Sequence, residues 1–300
     1  MIAQNQYDPE AALRDFLSTH SHNVSQKRLG ILLPALPDTA AIVREFHPNG
    51  MIQPVLIGTE EECALFQHMA GLANIDVISC ESSIEGAAIA VETKRVDILL
   101  RGETGVHALL QRLLTVPEFR YGWISQVALL YPPKLNRPLL LSDGAVTLQP
   151  TLDQKIKIVE NALKVARTLR FDPPKVALLA AVETISADQT VGMHDAILAK
   201  MSERGQFGNA LLDGPLALDL ALSEEAAIKK KVKGAVAGKA DILIAPTLEV
   251  GNALYKALIT LAHSASASVV VGGSVPIALP SRSDHPSALL FSIQLSCIVS

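Results

Sequence analysis

Near the C-terminus a serine and an arginine stand side by side, with an acid two residues further on: Ser281-Arg282-Ser283-Asp284. A serine hydroxyl donates one hydrogen bond, a guanidinium offers a rigid fork to two oxygens, and a carboxylate accepts a proton. Together they suit chemistry at a phosphate or a developing oxyanion. The stretch that carries them, Ala240 to Asp284, reads as a strand (Asp241 to Ala245), a loop, and a helix from about Glu249 to His263. A second strand (Ser268 to Val271), a Gly-Gly turn and a short Val-Pro-Ile segment follow. This order is that of a βαβ unit, with its polar tip on the side where open α/β sheets bind ligands. Gly251-Asn252 near the start of the helix, Lys256 one turn later, and Glu183 just past an earlier strand are further candidates. Each also has a plain structural reading, as a turn or helix-start pair, a solvated helix face, and a helix-cap acid. His20-Ser21-His22 offers two possible metal ligands where a site needs three or four groups. No metal is expected.

The rest of the chain must position these groups. Asp8 caps a helix that opens on Pro9. Strands are expected at Leu29–Leu33, Pro54–Ile57, Ile75–Ser79 and Val96–Leu100, alternating with helices at Thr39–Phe46, Thr59–Met69 and Ser83–Thr93, and with one at Val106–Leu114. Thr59-Glu60-Glu61-Glu62 has the form of a capping box. This alternation argues for a parallel sheet. The rhythm changes after Pro117, where Ser125–Leu130 and Pro138–Leu141 are strands with no helix between them. A long helix (Asp153–Leu169) follows, its apolar stripe formed by Ile156, Val159, Leu163 and Val165-Ala166. Next come a strand at Lys175–Ala181, a helix at Asp188–Met201, and Asn209–Asp213 leading through Gly214-Pro215 into an Ala-rich helical stretch. The domain break falls near Leu139 to Pro150.

A chain of 300 residues favours two domains. Its apolar share is 49%, yet no uninterrupted apolar run reaches the ~18 residues of a membrane helix, and the start lacks a signal-peptide core. Cys63, Cys80 and Cys297 form neither a C-x-x-C pair nor a disulfide framework, so a cytoplasmic protein is expected. Net charge is −4, and no basic stripe is interleaved with aromatics, which argues against nucleic-acid partners. There is no G-x-G-x-x-G after a strand, no P-loop, no H-E-x-x-H and no G-x-S-x-G. These absences argue against an ordinary Rossmann dehydrogenase, an NTPase, a zincin and an α/β-hydrolase.

In combination, several segments resemble the phosphate acetyltransferase and phosphate butyryltransferase family. They are Ile124-Ser125-Gln126-Val127-Ala128, Asp143-Gly144-Ala145-Val146, Pro174 to Leu179 with Glu183, and Asp213 to Asp219 (DGPLALD). Ala240 to Leu243, Gly251-Asn252, Tyr255-Lys256, and Pro276 to Ser281-Arg282 continue the series. The resemblance runs from about residue 95 onward, and the DGPLALD segment is closer to the butyryl branch. It implies two three-layer α/β domains with mostly parallel sheets, residues 1–139 plus 276–300 and residues 140–275, with a substrate cleft between them and usually a homodimer. It also implies transfer of an acyl group between coenzyme A, as substrate, and inorganic phosphate, giving an acyl phosphate, with no tightly bound cofactor. Ser281 and Arg282 match the family's active-site pair, and Asp284 is the acid nearest to it. Ser125, Arg101, Glu183, Gly251, Asn252 and Lys256 are the implied substrate-binding positions.

There are departures from the pattern. Gln126 stands where the family often has His, Thr147 and Thr247 where Asn and Asp are common, Arg101 where Lys is usual, and Val106 where a Thr is expected. They motivate an alternative, a catalytically weak relative that binds coenzyme A or an acyl phosphate. A dehydrogenase of the isopropylmalate or hydroxythreonine-phosphate type is a third reading, although the clustered metal-binding aspartates expected there are missing.

Overall fold

The computed structural model describes residues 7–21, 24–47, 50–281 and 284–300. In chain order the elements are α1 (Pro9–Ser21), β1 (Lys27–Leu32), α2 (Thr39–Phe46), β2 (Ile52–Gly58), α3 (Glu60–Ala70), β3 (Asp76–Ser79), α4 (Ser83–Glu92), β4 (Ile98–Leu100) and α5 (Val106–Leu113). Then come β5 (Ser125–Tyr131), β6 (Leu139–Ser142), α6 (Leu152–Thr168), β7 (Lys175–Leu179), α7 (Thr190–Glu203), β8 (Leu211–Leu216), α8 (Leu218–Leu222) and α9 (Glu224–Lys229). The chain ends with β9 (Ile242–Ile244), α10 (Leu248–Thr260), β10 (Ala265–Val271), β11 (Ile277–Ala278) and α11 (Ser287–Val299).

Two compact units result. One is Arg14–Ile124 with Ser266–Ser300; the other is Ser125–Ala265 with the chain up to Leu13. The expected boundaries are at 139/140 and 275/276. Backbone pairing explains the difference. β5 is hydrogen-bonded antiparallel to β6 and stays with it, while β10 folds back antiparallel on β11.

In the first unit the strand order is β3-β2-β1-β4-β11-β10, parallel except for the last pair. Leu29, Ile31, Val43, Leu56 and Ile98 lie at the centre of its core, and Leu289 and Ile293 of α11 pack into the same core. In the second unit the order is β5-β6-β9-β7-β8, with only β5–β6 antiparallel. Leu130, Leu141, Ala177, Leu216 and Leu243 form its centre. Strands buried on both faces have near-continuous apolar sequences, which is why LGIL, VALL and ILI read so clearly.

Local signals place the helices. Asp8 Oδ1 accepts the N–H groups of Glu10 and Ala11. Thr59 and Glu62 form the expected capping box, and Thr151 with Gln154 forms a second one. The Ala240–Val271 stretch, however, is not a βαβ unit. β9 lies between β6 and β7, whereas β10 pairs with β11 through a turn at Gly272, whose φ is +101°. The C-terminal helix α11 was not read from the sequence.

The parallel strands fix where loops cluster. In the first unit the carboxyl ends of β1, β4 and β11 open into residues 33–38, 101–105 and 279–281. In the second, the carboxyl ends of β6, β7 and β9 open into 143–151, 180–189 and 245–247, joined there by the start of antiparallel β5. Open α/β sheets bind their ligands at this edge.

Candidate active site

In the second unit, the Asp143 loop and α10 are pressed together. Asp143 is buried, and its Oδ1 accepts the N–H groups of Ala145 and Val146 at 2.9 and 3.1 Å. Its Oδ2 accepts the Thr147 N–H at 3.0 Å. Burial pushes the Asp143 carboxyl up from its ordinary range, and these amides, with that of Gln126, pull it back. The loop therefore wraps its backbone donors around one carboxylate. Gln126 Oε1 accepts the Gly144 N–H at 3.1 Å, and Ser142 Oγ donates to the Gln126 carbonyl at 2.6 Å. Ser125 Oγ, fully buried, accepts from Asn161 Nδ2 of α6 at 2.8 Å.

α10 begins earlier than expected, at Leu248, because Thr247 is its cap and accepts the Val250 N–H. Gly251 and Asn252 thus lie inside the helix. Asn252 Nδ2 donates to the Gly144 carbonyl at 3.1 Å. A Cβ at Gly251 would stand 2.3 Å from the Asp143 carbonyl oxygen, so only glycine permits this approach. Lys256 is exposed further along α10, and Glu183 is exposed in the loop after β7, which ends at Leu179 and not at Ala181. Beside these groups is a mainly apolar pocket of ≈ 820 Å³ walled by α7 (Thr190, Val191), Leu218 and α10 (Val250, Leu254).

In the first unit the loops after β4 and β11 meet. The buried Arg101 guanidinium donates to the Thr104 carbonyl and to the Pro280 carbonyl, each at 3.0 Å. It therefore braces the residue preceding Ser281. The Ser281 N–H donates to Asp284 Oδ2 at 3.0 Å, and the Asp284 N–H to the Ser281 carbonyl at 3.1 Å. Ser281 and Asp284 close one turn. Arg282, like Ser283 and His22, lies outside the described residues. Gly102, at φ +66°, lets the loop after β4 touch the loop after β1: a Cβ there would meet the Leu32 and Pro34 carbonyl oxygens at 2.1 and 2.6 Å.

A family model for phosphate acetyl/butaryl transferase matches residues 74–297. The chain belongs to this family. The phosphate acetyltransferase of Thermotoga maritima is 39% identical over 82% of this chain and 86% of its own length. The phosphate butyryltransferase of Clostridium acetobutylicum is 38% identical over 86% and 88%. Among solved structures, a branched-chain phosphotransacylase from Enterococcus faecalis V583 superposes with a TM-score of 0.77 at 30% identity, covering 91% of this chain and 98% of that one.

The structure gives four of the five departures from the family pattern a partner, while Val106 opens α5. Gln126 holds the Gly144 amide, Thr147 is tied through its N–H to Asp143, Thr247 caps α10, and Arg101 clamps Pro280. The expected binding residues fall into two groups. Ser281, Asp284 and Arg101 are together in the first unit; Ser125, Gly251 and Asn252 surround the Asp143 loop in the second, with Lys256 and Glu183 on exposed positions of that unit. Three members of the second cluster were not among the candidates: Asp143, Gln126 and Asn161. Asp143-Gly144-Ala145-Val146 and Gln126 stand in segments of the family resemblance, which gave them no role in the site.

Proposed function

We propose that this acyltransferase moves a short or branched acyl group between coenzyme A and inorganic phosphate, by direct transfer in a ternary complex. The observation that carries the reading is the Ser281–Asp284 turn, held at the ligand-binding edge of its sheet by Arg101, in a chain of this family. A phosphate oxygen attacks the thioester carbonyl, a C–O bond forms, and the C–S bond breaks. Coenzyme A leaves as thiolate and takes up a proton. Ser281 donates to the oxyanion, and the guanidinium of Arg282 has the chemistry to donate to phosphate or carbonyl oxygens. The Asp143 loop and Asn252 supply polar groups for substrate. An acyl-enzyme is disfavoured, because burial pushes the Cys63 and Cys297 thiols up to about 11 and about 12, and raises Cys80 as well.

The test is release of free thiol from acetyl-, propionyl-, butyryl- and isobutyryl-CoA on adding phosphate. Robust release is expected; binding without turnover across the series would show a binding-only relative instead. Arg282→Ala is expected to lower turnover about 10²-fold, the cost of losing one oxyanion donor. Unchanged turnover would remove Arg282 from the mechanism.

A homodimer and a cytoplasmic location belong to the same proposal. Among the described residues no helix is long and apolar enough to cross a membrane, and the three cysteines are unpaired. The apolar helix α10 buries only Gly251, while Val250, Leu218, Met193 and Ile197 nearby are exposed, which supports a second copy against this face.

A further inference from the structure

Ser281 and Asp284 line a pocket of ≈ 440 Å³ at the carboxyl edge of the first unit's sheet. Its other walls have a distinct chemistry. Leu36 and Pro37 come from the loop after β1, Pro280 from the loop after β11, and Leu289 from α11. None of these side chains hydrogen-bonds. Leu36 and Leu289 belong to the unit's core, so the apolar wall is rigid. Asp38, Glu103 and His285 also line the pocket, and with Asp284 its three carboxylates outnumber the one imidazole, a poor surface for the phosphate or diphosphate groups of coenzyme A. The size is that of a small-molecule site.

We infer that this pocket is the acyl subsite, and that Leu36 and Leu289 set which acyl chains it accepts while Asp38 disfavours chains that carry a negative charge. The inference rests on the acyl-transfer reading. A carbonyl held at the Ser281 hydroxyl has its substituent chain within reach of Leu36 and Pro280. An uncharged straight or branched chain buries its methyl and methylene groups there. A larger residue at position 36 shortens the space, and a smaller one extends it.

The experiment measures kcat/KM for acetyl-, propionyl-, butyryl-, isobutyryl- and succinyl-CoA in the wild type, Leu36→Phe, Leu36→Ala and Asp38→Asn. One methylene in an apolar pocket discriminates roughly 10–200-fold. Leu36→Phe is therefore expected to lower the butyryl-to-acetyl ratio by about tenfold or more, and Leu36→Ala to raise it. Asp38 has φ +65° and is exposed, a conformation that asparagine tolerates, so Asp38→Asn remains folded even if the buried position 36 resists change. It is expected to raise succinyl-CoA turnover relative to butyryl-CoA by about tenfold, the effect of removing a facing like charge. A wild type that releases thiol, combined with variants whose acyl profiles stay within threefold of it, overturns the subsite and leaves the function standing. A change confined to KM for phosphate overturns it as well. A wild type inert toward every acyl-CoA removes both.

Discussion

Gly251→Ala is the sharpest test of the geometry in the second unit. The added methyl would stand 2.3 Å from the Asp143 carbonyl oxygen, 2.9 Å from Gly144 Cα and 3.0 Å from the Asp143 carbonyl carbon. Ordinary contact lies near 3.5 Å, so α10 and the loop must separate by about 1 Å. All three neighbours are backbone atoms, and no side chain can swing aside. The loop does not yield alone either, since its amides at Ala145, Val146 and Thr147 converge on the buried Asp143 carboxylate. Asn252 Nδ2 now lies 3.1 Å from the Gly144 carbonyl, and a separation of that size breaks the bond. Overpacking of this kind costs about 1–3 kcal/mol in stability. A misplacement of about 1 Å among substrate-binding groups costs about 10²-fold in rate. The thiol-release assay with butyryl-CoA and phosphate, run beside a thermal melt, reads both. Gly105→Ala is the control, because Gly105 has an ordinary φ of −67° and its Cβ would meet nothing within 4 Å. If Gly251→Ala keeps kcat/KM within threefold of the wild type and melts at the same temperature, the Asp143 loop and α10 do not form a rigid binding element.

Three further outcomes are expected. Lys155 of α6 and Asp195 of α7 form a wholly buried ion pair, so Lys155→Met strands a carboxylate and costs about 3–5 kcal/mol, while Lys155→Met with Asp195→Leu recovers most of it in thermal melts. Burial raises the Asp195 carboxyl, and losing Lys155 raises it further; the folded state of Lys155→Met then holds a proton that the unfolded chain gives up near pH 4, so its deficit grows as pH rises through the folded value and is smaller at pH 5 than at pH 8. Asp284→Asn keeps an oxygen for the Ser281 N–H and is expected to hold turnover within about fivefold if Asp284 is a brace, since what is lost is only the charge assistance of one hydrogen bond; a loss of 10²-fold with disappearance of the acidic limb of the pH–rate profile would make it the base. Val250→Glu places a charge on the exposed apolar face of α10 and is expected to shift sedimentation from dimer to monomer; an unchanged coefficient would put the interface elsewhere.

What could be read from the sequence depended on range. α2 spans the expected Thr39–Phe46, and the box at Thr59 and Glu62 is made by residues three apart, because caps and periods are local quantities. Sheet partners are not local. The apolar run of β10 looks the same whether it joins β9 or folds back on β11, and nothing in SVVV encodes which. α11 escaped notice for a different reason: ten of its thirteen residues are buried, so SALLFSIQLSCIV has no polar face and hence no amphipathic stripe to detect.

The same division holds at the site. Ser281 and Asp284 are three residues apart, and their association was visible; the contacts that shape the second cluster link Ser125 to Asn161, Gln126 to Gly144 and Gly144 to Asn252 across distant segments. One buried pair did leave a trace. Lys155 occupies the register of α6 that continues through Ile158, Val159, Ala162, Leu163 and Ala166, all buried. A lysine in that register enters a core, where a lone ammonium would be too costly to keep charged, so the fold must supply an acid. Asp195 is that acid, in the buried register of α7 between Gly192 and Leu198. A charge on an apolar stripe is thus a sequence-level request for a partner, but the partner 40 residues away is a long-range contact, and neither Lys155 nor Asp195 was read from the sequence.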